Sequence, residues 1–102
     1  MSIAELPISF ERDELDAFCR ERGIRKLSLF GSVLREDFSP DSDVDVLVEF
    51  LPGQTPGLAF FGYGDQLAKL IGHKVDLNTP AFLSKNFRDD VLRQAVIIYE
   101  QA

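Results

Sequence analysis

The sequence predicts an α+β domain in which a small twisted sheet carries helices mainly on one side. Three observations lead there. Apolar residues recur at helical spacing in three separate stretches. Short runs rich in valine, isoleucine and leucine fall between or after them, and Gly, Pro, Asp and Ser cluster at the joins. The expected order is α-β-α-β-α-β-α with a closing strand.

Residues Pro7 to Arg22 read as the first helix. Ser9 is the expected N-cap, and Glu11, Asp13 and Glu14 complement the positive end of the helix dipole. Leu15, Phe18 and Cys19 form one apolar stripe, and Gly23 stands where a left-handed C-cap belongs. Lys26 to Phe30 reads as a strand, and Ser32 to Asp37 as a short helix or turn. Ser39-Pro40-Asp41-Ser42 is turn chemistry leading into a second strand, Val44 to Phe50. Pro52, Gly53, Pro56 and Gly57 make an exposed loop.

A helix is expected from Leu58 to Ile71, weakened by Gly62 and Gly64, buried through Leu67, Leu70 and Ile71, and ended by Gly72. Phe60 and Phe61 are adjacent, so both cannot share its buried face. Lys74 to Leu77 forms a third strand, with Val75 and Leu77 on one face and Asp76 on the other. Thr79-Pro80 opens another helical stretch whose stripe is Phe87, Val91 and Ala95. The β-branched run in Val96 to Tyr99 makes the closing segment a strand.

The 102 residues suffice for one domain, spanning 1–102. A 45% hydrophobic fraction and nine phenylalanines mark a folded chain. With 17 acidic and 11 basic residues, the net charge of −6 disfavours direct nucleic-acid binding. One cysteine, Cys19, excludes an internal disulfide, and one histidine, His73, leaves no zinc set and no catalytic histidine role. No apolar run reaches the roughly 18 residues of a membrane span, so a cytoplasmic setting without membrane attachment is expected.

Chemistry concentrates in GSVLREDFSPDSDVDVLV, residues 31–48. Glycine at 31 lets a phosphate approach the backbone; Ser32 adds a hydroxyl, and the turn after it adds free N–H groups. Asp43 and Asp45 share a strand face, their Cα atoms about 6.5 Å apart at the strand rise. That spacing suits a pair of divalent ions about 3.5–4 Å apart. Adjacent carboxylates on an apolar strand repel each other and need a cation, for which magnesium carrying nucleotide phosphates is the working choice. Taken singly, Gly-Ser and Asp-x-Asp are also ordinary turn chemistry. A calcium loop fails because Val46 and Pro52 occupy its required Gly and Glu positions, and a P-loop fails for want of Gly-Lys-Ser/Thr.

The combination of strand, Gly-Ser, ten residues, Asp-x-Asp and a lone Asp on a later strand resembles the DNA polymerase β-type nucleotidyltransferase superfamily. More narrowly, it resembles the minimal (MNT) branch found beside HEPN-domain proteins in toxin–antitoxin pairs. The likeness runs through GSVLREDFSPDSDVDVLVEF, LIGHKVDL and RDDVLRQAVIIYE, most of the chain. It implies a small mixed β-sheet with helices packed mainly on one face. It also implies that Gly31 and Ser32 contact the triphosphate of ATP, and that Asp43, Asp45 and Asp76 are catalytic and bind two Mg2+ ions.

The implied function is transfer of AMP from ATP to a tyrosine hydroxyl of a cognate HEPN toxin, with this chain as antitoxin in a hetero-oligomer. Transfer to a small-molecule hydroxyl is the second reading; relatives that do so carry a further helical domain. A non-catalytic antitoxin that blocks its partner by contact is the third. The chain departs from many relatives at Glu36, where they carry glycine. Arg35 is either a phosphate partner or a solvated surface residue.

Overall fold

The structure, a computed structural model, describes residues 5–36 and 38–101, excepting the Phe82 side chain. Chain order is α1 (Arg12–Glu21), β1 (Ile24–Phe30), a 3-10 turn (Gly31–Leu34), β2 (Val44–Phe50), α2 (Phe60–Ile71) and β3 (Val75–Asn78). A second 3-10 turn (Pro80–Phe82), α3 (Lys85–Gln94) and β4 (Val96–Glu100) complete it. The strands lie in the order β3-β2-β1-β4. β1 is antiparallel to β2 and β4, and β2 is parallel to β3, which makes the sheet mixed. α2 supplies the crossover that a parallel pair requires.

Side-chain alternation splits the core in two. Leu27 and Leu29 of β1 and Val44, Val46 and Val48 of β2 face α1 and α2, which add Leu15, Phe18 and Cys19 and then Leu67 and Ile71. On the other face Phe30 and Leu47 meet Leu83 and Val91, with Ala95 beside them. Two helices therefore cover one face and α3 covers part of the other. Asp45 and Asp76, offset by one position from Val46 and Val75, fall on the less covered face.

The expected start of α1 is corrected. The helix begins at Arg12 behind Glu11, whose extended backbone makes no side-chain cap bond, so Ser9 is not its N-cap. The reason lies in Leu6, Ile8 and Phe10, alternate residues that pack on the main core and hold this segment out of the helix. α2 likewise begins at Phe60, leaving Leu58 86% exposed. Phe87 is 52% exposed, so it does not belong to the buried stripe of α3. Ser84 caps α3 by accepting from the Phe87 N–H, which places Phe87 in the first turn, and Leu83 fills the second cluster in its stead. Phe60 packs on the core while Phe61 is 78% exposed, as their adjacency requires. Asp37, the expected end of the first turn, lies outside the described residues.

Cys19 is fully buried and unpaired with another cysteine. Burial, and then the nearby Asp16 carboxylate, pushes its thiol up to about 12, so it stays protonated and packs as a small apolar group. Among the described residues no helix is long and apolar enough to cross a membrane. Leu29, with no exposed surface on a central strand, is the clearest test of the core. Leu29→Ala should cost about 2–5 kcal/mol in denaturant unfolding, because the strands around it cannot close the cavity.

Candidate active site

β1 delivers the chain to the site. Its last residue, Phe30, stands opposite Asp45 in the antiparallel register. Gly31 then turns with φ +74°, a left-handed conformation that favours glycine. A Cβ there would overlap the Asp45 carboxylate, lying 3.1 Å from its Cγ. The 3-10 turn that follows is anchored by Val33, which is fully buried, so its first residues are held beside β2.

Residues 39–42 close as a turn, with the Ser42 N–H donating to Ser39 O at 3.0 Å and the two hydroxyls 3.1 Å apart. That turn aims Asp43 and the start of β2 at the Gly31–Ser32 corner. The Ser32 hydroxyl donates to the carbonyl of Asp43 at 3.2 Å, and the Ser32 backbone hydrogen-bonds the Asp45 carboxylate. The Val44 N–H donates to Lys74 O at 2.8 Å, which fixes β3 beside β2. In the resulting parallel register Asp45 is paired with Asp76. Neighbouring strands run about 4.8 Å apart, so the two carboxylates are side by side on one face.

Asp43 lies just before β2 and is exposed, as is Asp76; Asp45 is half-buried. The structure thus brings all five sequence-predicted residues, Gly31, Ser32, Asp43, Asp45 and Asp76, to one corner of the sheet. As placed, the three carboxylates do not close on one point. Among the described residues no three His, Cys, Asp or Glu groups are set to hold an ion. The Asp45 carboxylate is turned toward Gly31 and Ser32.

The Asp45 carboxyl titrates above the usual carboxylate range. Burial is the main cause, followed by the charges of Asp76 and then Asp43, while Arg35 and the Ser32 bond oppose the rise. A raised folded-state value means that the ionised form is better tolerated in the unfolded chain. Its charge therefore costs stability above that raised value, and the cost fades as pH falls toward the ordinary 3.8. Asp45→Asn should melt at a higher temperature than the wild type at pH 7, and the difference should shrink as the buffer approaches pH 4 (a value near the ordinary carboxylate pKa).

Arg35 lies close enough for its charge to act on Asp45, so it belongs to the site's electrostatics although its side chain is exposed. Glu36 is exposed and, with Arg35, lines a hollow bounded by Pro7, Val33 and Phe38. His73 packs against Phe38, ring centroids 5.3 Å apart. Tyr63 belongs to the α1–α2 packing, edge-on to Phe18, and Tyr99 is buried. Sequence reasoning missed the bond from the Ser32 hydroxyl to the Asp43 carbonyl, because a contact spanning 11 residues through an irregular loop leaves no local signature.

Comparison with known proteins bears on the family and the fold. Residues 12–98 match the Nucleotidyltransferase domain family. A Thermococcus cleftensis relative, Protein adenylyltransferase MntA, is 38% identical over 81 residues, covering 78% of this chain and 80% of its own. The solved structure of a minimal nucleotidyltransferase superposes with a TM-score of 0.68 at 34% identity, covering 83% of this chain and 86% of that one. A Shewanella oneidensis complex of a tri-AMPylated HEPN toxin with an MNT antitoxin shares the fold at 20% identity and a TM-score of 0.56, covering 88% of this chain and 70% of that one.

Proposed function

The chain belongs to the nucleotidyltransferase family, and from that premise we propose that it is a protein adenylyltransferase that acts as an antitoxin. It transfers AMP from ATP to a tyrosine hydroxyl of a cognate HEPN-domain toxin, with which it forms a hetero-oligomer in the cytoplasm. It binds no nucleic acid directly. The adenylyltransferase activity for which the Thermococcus relative is named and the AMPylated toxin of the Shewanella complex support this reading. The observation that carries it is the pairing of Asp45 with Asp76 on adjacent strands, with Asp43 completing the acidic corner beside Gly31.

By its chemistry, three carboxylates and no nitrogen or sulfur ligand, the donor set suits a hard divalent cation, provided the Asp45 carboxylate turns from Gly31 to join the other two. Asp43, Asp45 and Asp76 would hold Mg2+, whose chemistry when bound is to acidify the attacking hydroxyl and to stabilise the departing pyrophosphate. The residues around it do the positioning. Gly31 has no side chain of its own over its backbone, so a triphosphate oxygen can approach there once the Asp45 carboxylate moves off it, and the Ser32 hydroxyl keeps the turn fastened to the Asp43 carbonyl just before β2. Arg35 adds a positive charge beside the acids, where phosphate oxygens collect. Asp76, on an edge strand and exposed, faces the side from which a folded acceptor can approach. The acceptor oxygen attacks the α-phosphorus, the bond to pyrophosphate breaks, and an AMP ester remains on the acceptor.

Incubation with α-labelled ATP, MgCl2 and the proposed HEPN-domain partner should place label on that protein. Replacing Mg2+ with a chelator should abolish it. Equal labelling in the chelator would contradict the proposal.

A further inference from the structure

The side chain that the reaction needs as a cation ligand also occupies the space that a phosphate needs. Two independent features show this. A Cβ on Gly31 would collide with the Asp45 carboxylate, so that carboxylate, and not open solvent, lies over the glycine. The Ser32 backbone hydrogen bond, one of the donors a phosphate would take, is made to the same carboxylate. The Ser32 hydroxyl is also engaged, to the carbonyl of Asp43. An anion entering this corner therefore meets a carboxylate already bonded to its donors, with Asp76 in register beside it.

Resting on the reading of the site as a nucleoside triphosphate site, we propose that Asp45 is a specificity-determining residue: it makes the Gly31–Ser32 cradle reject anions that arrive without a divalent cation. A phosphate and the Asp45 carboxylate cannot share the Ser32 N–H unless a cation lies between them or draws the carboxylate aside. The cradle then discriminates between cation-complexed and free triphosphate before any chemistry occurs. Asp43 differs in kind. It offers its carbonyl to Ser32 while its side chain is exposed, so it adds negative charge without filling the cradle.

The test is calorimetric binding of ATP to the whole chain, in MgCl2 and in EDTA, with no transfer measured. Wild type should bind at least about tenfold more weakly in EDTA, the factor that corresponds to roughly 1.4 kcal/mol. Asp45→Ala and Asp45→Ser, which both shorten the side chain and clear the cradle, should each bind ATP in EDTA about tenfold more tightly than wild type does, whereas Asp43→Asn should gain much less. Two Asp45 variants guard against a folding defect in one, and the wild-type comparison needs neither. Equal wild-type affinity in the two buffers overturns the proposal while leaving nucleotide binding intact. An equal gain from Asp43→Asn overturns it in favour of bulk charge. Failure of wild type to bind ATP in MgCl2 overturns the triphosphate reading of the site and this inference with it.

Discussion

Gly31→Ala is expected to leave a folded protein with little transferase activity. The position holds φ +74°, where an L side chain costs about 1–2 kcal/mol, a loss the core can absorb. The functional loss is larger because the new methyl group lands on the Asp45 carboxylate. That carboxylate is the flexible end of its side chain, so it swings aside and the strands stay paired. Its displacement moves a proposed cation ligand by an ångström or so, which costs on the order of a hundredfold in rate. Circular dichroism should show native secondary structure, and steady-state transfer should show the deficit. Wild-type turnover in Gly31→Ala would mean that the carboxylate position is irrelevant to the reaction.

Asp76→Asn is expected to separate binding from chemistry. Asp76 is exposed on β3 in register with Asp45, so the isosteric amide disturbs neither the strand nor the core. It removes one negative charge from the group proposed to hold the ion that activates the acceptor. Loss of about 4 kcal/mol of transition-state stabilisation corresponds to roughly a thousandfold in rate. Complex formation with the HEPN toxin, read by size-exclusion chromatography, should persist, and neutralisation of the toxin in cells should fail. Retained neutralisation would favour an antitoxin that works by contact alone.

Much of the fold was legible in the sequence, because the relevant signals are local and strong. Val44 to Phe50 carries valine at every second position through Val48 and is β2, and the β-branched run at Val96 is β4. The closeness of the candidate site residues was legible for a related reason: Gly31 and Ser32 directly follow β1, and Asp43 and Asp45 lie just before and within the start of β2, all in one stretch.

What could not be read depended on tertiary competition. Ser9 looks like a helix cap, yet Leu6, Ile8 and Phe10 gain more by packing as an extended segment. Phe87 fits a helical stripe, yet the Ser84 cap and the burial of Leu83 decide which residues of α3 meet the sheet. The parallel pairing that sets Asp45 beside Asp76 is likewise a register between strands about thirty residues apart, which no local pattern encodes. The orientation of the Asp45 carboxylate toward Gly31 belongs to the same class.

The most direct test of nucleotidyl transfer uses ATP labelled at two different phosphates. With wild-type chain, MgCl2 and the HEPN partner, label at the α-phosphorus should appear on the partner, and label at the γ-phosphorus should leave as pyrophosphate. Transfer of the γ label to the partner would show attack at the wrong phosphorus and contradict the assignment.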